Sequence, residues 1–458
     1  MSAVQNTQTP TDYTSGSIRK AILRMGLPSM LGFGATHIYA MVDTWWVAQL
    51  PDSESAVAGL TIFANILWFL GSINMMVGAG SVAMISRRYG EKNYQETEWT
   101  IKETFLLKFI VGLIIGALGL FFIEELVALV GGRGESLRYA VEYGEVMFWA
   151  MPIAFVMFSV WTALRSVSNP KIAMALMFGS TALNIILDPL LIFGYWGFPE
   201  MGIQGAAVAS VVAYIFVVVI GLILFATGKT NVRLHIFRNT NLRLRSMWQM
   251  VRIGAPAWVA GASDSGVRLA VIPLLASYGE AVVAAYGVTL QVAGLGLVLI
   301  VGAGLGISSL LGQTLGAGRM DRAKTIGDTG IFISAGMMGL YGLLVFLFSE
   351  SIAGLYFKNP ETIALSSELL RIFSIGFPFW GVWVFLESLY SGVGLNKPSM
   401  VFSVTHAWVL RAPMAYVLVI LIETGPTEVW YGLMMTSVIT AVAFYAYYRR
   451  GQWLKVKV

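Results

Sequence analysis

Apolar residues along this chain come in long runs, separated by short polar breaks. A membrane's hydrocarbon core, about 30 Å thick, needs about 20 apolar residues per helix. Runs of that length recur twelve times, over roughly 21–50, 57–85, 101–123, 139–164, 170–195, 202–226, 247–277, 281–311, 329–348, 365–392, 399–422 and 428–448. The pattern predicts an all-α integral membrane protein with twelve transmembrane helices. Residues 1–20 are polar and hold no apolar core, so they do not read as a signal peptide, and the run that follows is too long to be one.

Composition agrees. Of 458 residues, 57% are hydrophobic and 12% charged, where a soluble domain carries about a quarter charged. Cysteine is absent, so it gives no compartment signal. The net charge of +5 would suit nucleic acid, but the positions of the charges point elsewhere. An even number of spans puts both termini on one side, and most of the 30 Lys and Arg residues fall on that side, Arg238 among them. The opposite loops hold only Arg133, Arg138, Lys358 and Arg371, and Lys108, Arg268 and Arg411 fall within spans. By the positive-inside rule both termini are cytoplasmic, as expected of a multi-pass protein in the plasma membrane of a prokaryote. Nucleic-acid binding loses its support. The outer loops are short and leave little room for a receptor domain.

The two halves resemble each other. "RMGLPSM" (24–30) returns as "RIGAPAW" (252–258), which pairs Pro28 with Pro256. "GSVAMISRRYGEKN" (80–93) aligns with "GISSLLGQTLGAGR" (306–319), pairing Gly80 with Gly306 and Gly90 with Gly316. Pro152 pairs with Pro378 and Asn169 with Asn396 at nearly the same separation. This points to duplication of a six-span unit, with parallel repeats related by an axis along the membrane normal, as in transporters that rock two bundles about a central site. The expected organisation is a cytoplasmic tail (1–20), an N-lobe (21–228), a basic interlobe linker (229–246), a C-lobe (247–448) and a second cytoplasmic tail (449–458). Most of the many glycines fit tight helix packing. Trp45 and Trp46, near a span end, fit interfacial anchoring.

Ionisable residues inside spans cost roughly 2.5–3.5 kcal/mol at a helix centre, so they usually face partners or water. In span 1, Thr36, Tyr39 and Asp43 share one helical face; in span 5, Thr181, Asn184 and Asp188 do the same. Asp188 is followed by Pro189, which frees the carbonyl of Ile185 one turn back. Two close carboxylates cannot both ionise cheaply, so an Asp43/Asp188 pair would take up a proton or small cation readily. The bland reading is a carboxylate that merely ties helices together. The C-lobe does not repeat these acids. It carries Asp264 with Arg268 at i+4, a pair able to neutralise itself, and a further polar group of Glu387, His406 and Arg411. Glu387, toward the cytoplasmic end of span 10, would suit a gate or interlobe bridge as well as coupling. Lys108 would snorkel toward the cytoplasm.

Motifs for an enzyme are missing: no HExxH, no paired acidic motif for diphosphates, no GxxxxGK[ST], and only three histidines. The protein does not read as an enzyme, nor as a pump driven by ATP bound within this chain. An ion gradient is the simplest energy source.

"ALRSVSNPK" (163–171), "LNIILDPLLIFG" (183–194), "MGIQGAAVAS" (201–210) and "GISSLLGQTLGAG" (306–318), in order across nearly all twelve spans, resemble the multidrug and toxic compound extrusion (MATE) antiporters, closest to their DinF-like branch. The resemblance implies a V-shaped pair of six-helix bundles. It also implies export of amphipathic, often cationic organic compounds in exchange for H⁺ or Na⁺. That branch's N-lobe cation site maps onto Tyr39, Asp43, Asn184 and Asp188, with Thr181 beside them on the same face. Its bending proline in span 1 maps onto Pro28. Asp264 departs from that branch and matches an acid of the NorM-like branch, so the coupling ion stays open. A Na⁺ at Asp43/Asp188 is the one metal expected. No other cofactor and no obligate protein partner are expected, only drugs or toxins and the lipid bilayer around a monomer. The alternative is a flippase for a lipid-linked precursor, whose cleft would want several cations where only Arg268 and Arg411 are candidates. A non-transporting sensor or scaffold would want an appended soluble domain.

Overall fold

The computed structural model describes residues 12–235 and 242–456; Arg238, Lys457 and most of the 1–20 tail lie outside the described residues. Twelve helical traverses follow one another: α1 (Ile18–Val47), α2 (Ser53–Gly90), α3 (Tyr94–Phe121), α4 (Gly134–Trp149 and Met151–Ser166), α5 (Pro170–Phe193) and α6 (Ile203–Ala226) form the N-lobe. The C-lobe holds α7 (Leu244–Ala276), α8 (Glu280–Gly316), α9 (Met320–Leu347), α10 (Pro360–Val393), α11 (Lys397–Leu421) and α12 (Pro426–Arg449). Among the described residues ten helices are long and apolar enough to cross a membrane, and the bent α4 makes an eleventh. The 30 residues of α1 reach about 45 Å at 1.5 Å per residue, but they include Arg19, Lys20, Arg24 and Asp43, which dilute its hydropathy.

Two of the traverses are less regular than their apolar runs predict. α4 bends by 61° at Ala150. Pro152 has no N–H for the carbonyl of Phe148, and that oxygen leans instead onto Gly116 of α3. Its repeat mate Pro378 lies inside an unbroken α10. In α11, π-helical turns cover Thr405–Arg411 and Val417–Leu421 around Pro413, the kind of local widening that often accompanies functional positions.

The lobes meet at the end that carries the termini, and the repeat glycines make the seam. A methyl group on Gly80 would overlap the carbonyl of Met250, and one on its mate Gly306 would overlap that of Met25. Only a residue without a Cβ permits such backbone approach. Hydrogen bonds then fasten the seam. Gln313 donates to the carbonyl of Ser166 at 2.8 Å and accepts from Ser168 Oγ at 2.9 Å. Arg243 bonds Glu96 and Glu103 on α3, and Ser246 donates to Glu103 at 2.6 Å.

α1 and α7 each begin against the opposite lobe. Ala21, Ile22 and Met25 sit in the C-lobe core with Leu310, Leu311 and Leu386; beyond Pro28, Gly32 packs on Met174 and Met177 of α5. In α7, Gly254 rests on the carbonyl of Met76 in α2, while Val267, Val271 and Leu275 join the C-lobe core around Trp430. Pro28 and Pro256 lie inside these helices, ahead of the change of partner: Met30 still meets Gly302 of α8, and Trp258 still donates to Ser72 of α2.

Two sequence expectations are corrected. Lys108 is 2% exposed and does not snorkel, because its face of α3 is packed against α4 and α2 rather than lipid. Trp46 turns inward onto Phe193, with ring centroids 6.0 Å apart, while Trp45 is exposed as an anchor would be.

Candidate ion-coupling site

α1 lies along α5, so their two polar stripes meet in the half of the N-lobe remote from the termini. Asp43, Asn184 and Asp188 are 5%, 1% and 0% exposed, too deep for bulk water to solvate their charge. Asp188 and Asp43 interact electrostatically. Asn184 lies one turn before Asp188, which it contacts without a well-formed hydrogen bond. Five polar atoms here have no partner: Asp43 Oδ1, both amide atoms of Asn184 and both carboxylate oxygens of Asp188. Buried polar atoms are nearly always paired, with protein groups or with water, so such a concentration marks a candidate site for water, a proton or a cation.

Local sequence explains the placement. α5 starts with Pro170 at its first turn, where the missing N–H costs nothing. It ends at Gly194, whose φ of 70° stops the helix. Pro189 sits inside without breaking it. Asp188 thus stands just before a position where the helical ladder has one bond fewer.

Tyr39, one turn before Asp43, shares a 2.6 Å hydrogen bond with Ser210 Oγ of α6. Tyr143 of α4 and Tyr214 of α6 surround the same centre and interact with Asp43. These two phenols and Ser210 escaped the sequence reading. Ser210 and Tyr214 stand four apart on α6, a polar stripe of the same kind as those on α1 and α5, hidden by an otherwise aliphatic helix. Tyr143 offered no such signal. Thr181 is buried on the Asn184 face but makes no hydrogen bond to either carboxylate. Pro28 lies far along α1, at the seam rather than at the acids.

The C-lobe residues form a different site. Arg268 Nη2 donates to Asp264 Oδ2 at 2.6 Å. Together with His406 and Arg411 they line a cavity of about 90 Å³ walled by Phe373, Trp380 and Trp383. Arg411 donates to Tyr286 Oη at 2.8 Å; His406 pairs with Thr440 at 3.1 Å and meets the Trp383 ring edge-on. Glu387 accepts from Trp383 Nε1 at 3.1 Å and from Ser403 at 2.6 Å, both within its own lobe. It therefore makes no interlobe bridge, since that face of α10 turns toward α11. The cavity holds one acid beside two arginines: Arg268 matches Asp264, while Arg411, bonded to the Tyr286 phenol, leaves a net positive charge.

Comparison with known proteins gives a consistent result. The MatE family profile matches residues 28–190 and again 256–417, starting at Pro28 and at its repeat mate Pro256. A "Probable multidrug resistance protein YoeA" of Bacillus subtilis (strain 168) is 27% identical, with 86% of each chain covered. A "Multidrug export protein MepA" of Staphylococcus aureus (strain MSSA476) is 23% identical over 94% of this chain and 93% of that protein. The solved structure described as "Outward-facing conformation of a multidrug resistance MATE family transporter of the MOP superfamily" superposes with a TM-score of 0.88 at 22% identity, covering 98% of this chain and all of that one.

Proposed function

The chain belongs to the MatE family, and on that premise we propose that it is a multidrug efflux antiporter of the cytoplasmic membrane, with both termini and the 229–246 linker cytoplasmic. It exports amphipathic, cationic organic compounds in exchange for H⁺ or Na⁺, and catalyses no chemical reaction. The observation that carries this reading is the group of five unpartnered polar atoms on Asp43, Asn184 and Asp188. The names of the relatives support the cargo.

In the mechanism we propose, the seam at the terminus-bearing end keeps the cytoplasmic side shut, so the N-lobe acids face outward. A cation arriving from outside is held between the Asp43 and Asp188 carboxylates. Asn184 supplies a carbonyl oxygen to Na⁺ or an amide N–H to a remaining carboxylate, and Tyr39, fixed by Ser210, orients the α1 side. Taking one charge off the pair lowers the cost of drawing α1 and α5 closer in a medium where charge is expensive. Pro28 lets α1 bend between its C-lobe and N-lobe packing, and the same movement releases the drug outward. Thr181 lines the approach from the interior.

Efflux of a fluorescent organic cation from proteoliposomes, under an imposed pH gradient or an imposed sodium gradient, tests this. Transport under one gradient identifies the ion. Transport under neither overturns the antiporter reading.

A further inference from the structure

A second buried group in the N-lobe has the opposite sign. Lys108 of α3 is 2% exposed and Arg165 of α4 is 5% exposed. They interact electrostatically with each other. No carboxylate among the described residues pairs with either, and Arg165 Nη1 is buried without an acceptor. One turn before Arg165 on α4, Trp161 Nε1 is buried and unpartnered too. Lys108 and Arg165 thus bring two cationic side chains together with no carboxylate paired to either, and Trp161 adds an unpartnered donor one turn away on α4. Burying one charge without a counter-charge is costly, and placing two like charges together adds to the cost.

A gap of methyl size lies beside the ammonium: Gly78 of α2 faces Lys108, and a methyl group there would stand in ordinary contact with Nζ, at 3.6 Å. We propose that Lys108 and Arg165 hold a small anion in the inner half of the N-lobe, either an inorganic ion of chloride size or the carboxylate of a small ligand. Trp161 contributes an N–H donor from the same face of α4. Such an anion accepts from the donors, halves the charge of the pair and ties α3 to α4 beside the seam contact of Gly80 with Met250. The N-lobe then has a cationic site near one end and an acidic one near the other. This inference does not depend on the efflux reading and stands or falls separately.

The test is thermal unfolding of the purified full-length protein in detergent at pH 7. Sodium and ionic strength are held constant while gluconate is replaced by chloride, and separately by acetate. A bound anion raises Tm in a saturable way, by about 2 °C at concentrations well above its dissociation constant. A rise in chloride alone assigns an inorganic ion; a rise in acetate as well admits carboxylate ligands. Lys108→Met and Arg165→Met lose the rise, and Lys108→Arg keeps it. Identical Tm in all three salts, or a rise undiminished in both Met variants, overturns the proposal. Should the Met variants fail to fold, the native titration decides: saturation supports the site, and a flat or linear response overturns it.

Discussion

In the C-lobe, Asp264 meets Arg268 one turn away at 2.6 Å, and Glu387 is satisfied by Trp383 and Ser403. In the N-lobe, Asp43, Asn184 and Asp188 converge from two helices and leave five polar atoms unpartnered. The helices are repeats of one another, and the acids are not. A carboxylate with an arginine at i+4 gains little from a mobile cation, because the cation must first displace the guanidinium. Two carboxylates facing each other across helices gain most from one. On the proposed reading, the duplicated frame supplies the motion, while the coupling chemistry sits in one half.

The most damaging change to this contrast is Asp188→Asn. It removes a carboxylate but keeps shape and burial, so the expected outcome is native unfolding behaviour with gradient-driven efflux reduced to background in proteoliposomes. Next comes the frame itself. A side chain at Gly254 would overlap the carbonyl of Met76, so Gly254→Val is expected to hold the seam apart and lower efflux by roughly fivefold to a hundredfold, as a penalty of about 1–3 kcal/mol would. Because the chain has no native cysteine, spin-label pairs placed across the seam can report that separation without background. Tyr39→Phe deletes the bond to Ser210. A hydrogen bond worth about 1 kcal/mol corresponds to roughly a fivefold weaker response to the coupling ion, read from the half-saturating gradient. Arg268→Met should matter least. The Asp264 pair is about a third exposed on each side, and pairs of this kind contribute about 0–1 kcal/mol, so efflux is expected to change by less than about fivefold.

Much of the fold was legible in the sequence because lipid imposes a strict rule: each backbone group must be satisfied within its own helix, so span lengths announce themselves. The repeat pairs Gly80/Gly306 and Gly90/Gly316 pointed to duplication, and the structure shows what they pack against. Each approaches a backbone carbonyl of the other lobe, at Met250, Met25, Gln313 and Arg87. What stayed hidden depended on direction rather than composition. Lys108 has the reach to snorkel, and only the packing of its helix face decides that it does not. Glu387 has the position for an interlobe bridge, and only the rotation of α10 turns it to Ser403. At the acids, one-dimensional spacing brought Asp43 and Asp188 into view as stripes on separate helices. Tyr143 entered from α4 with no stripe of its own, since a single phenol in an amphipathic run looks the same whether it meets an acid or the membrane surface.

The measurement that bears most directly on the asymmetry is proteoliposome efflux of one fluorescent cation by the native protein, by Asp43→Asn/Asp188→Asn and by Asp264→Asn, under the gradient that drives the native protein. The asymmetry predicts no efflux above background from the N-lobe double variant and at least half of native efflux from Asp264→Asn. Full efflux from the double variant, or loss of efflux from Asp264→Asn alone, would contradict it.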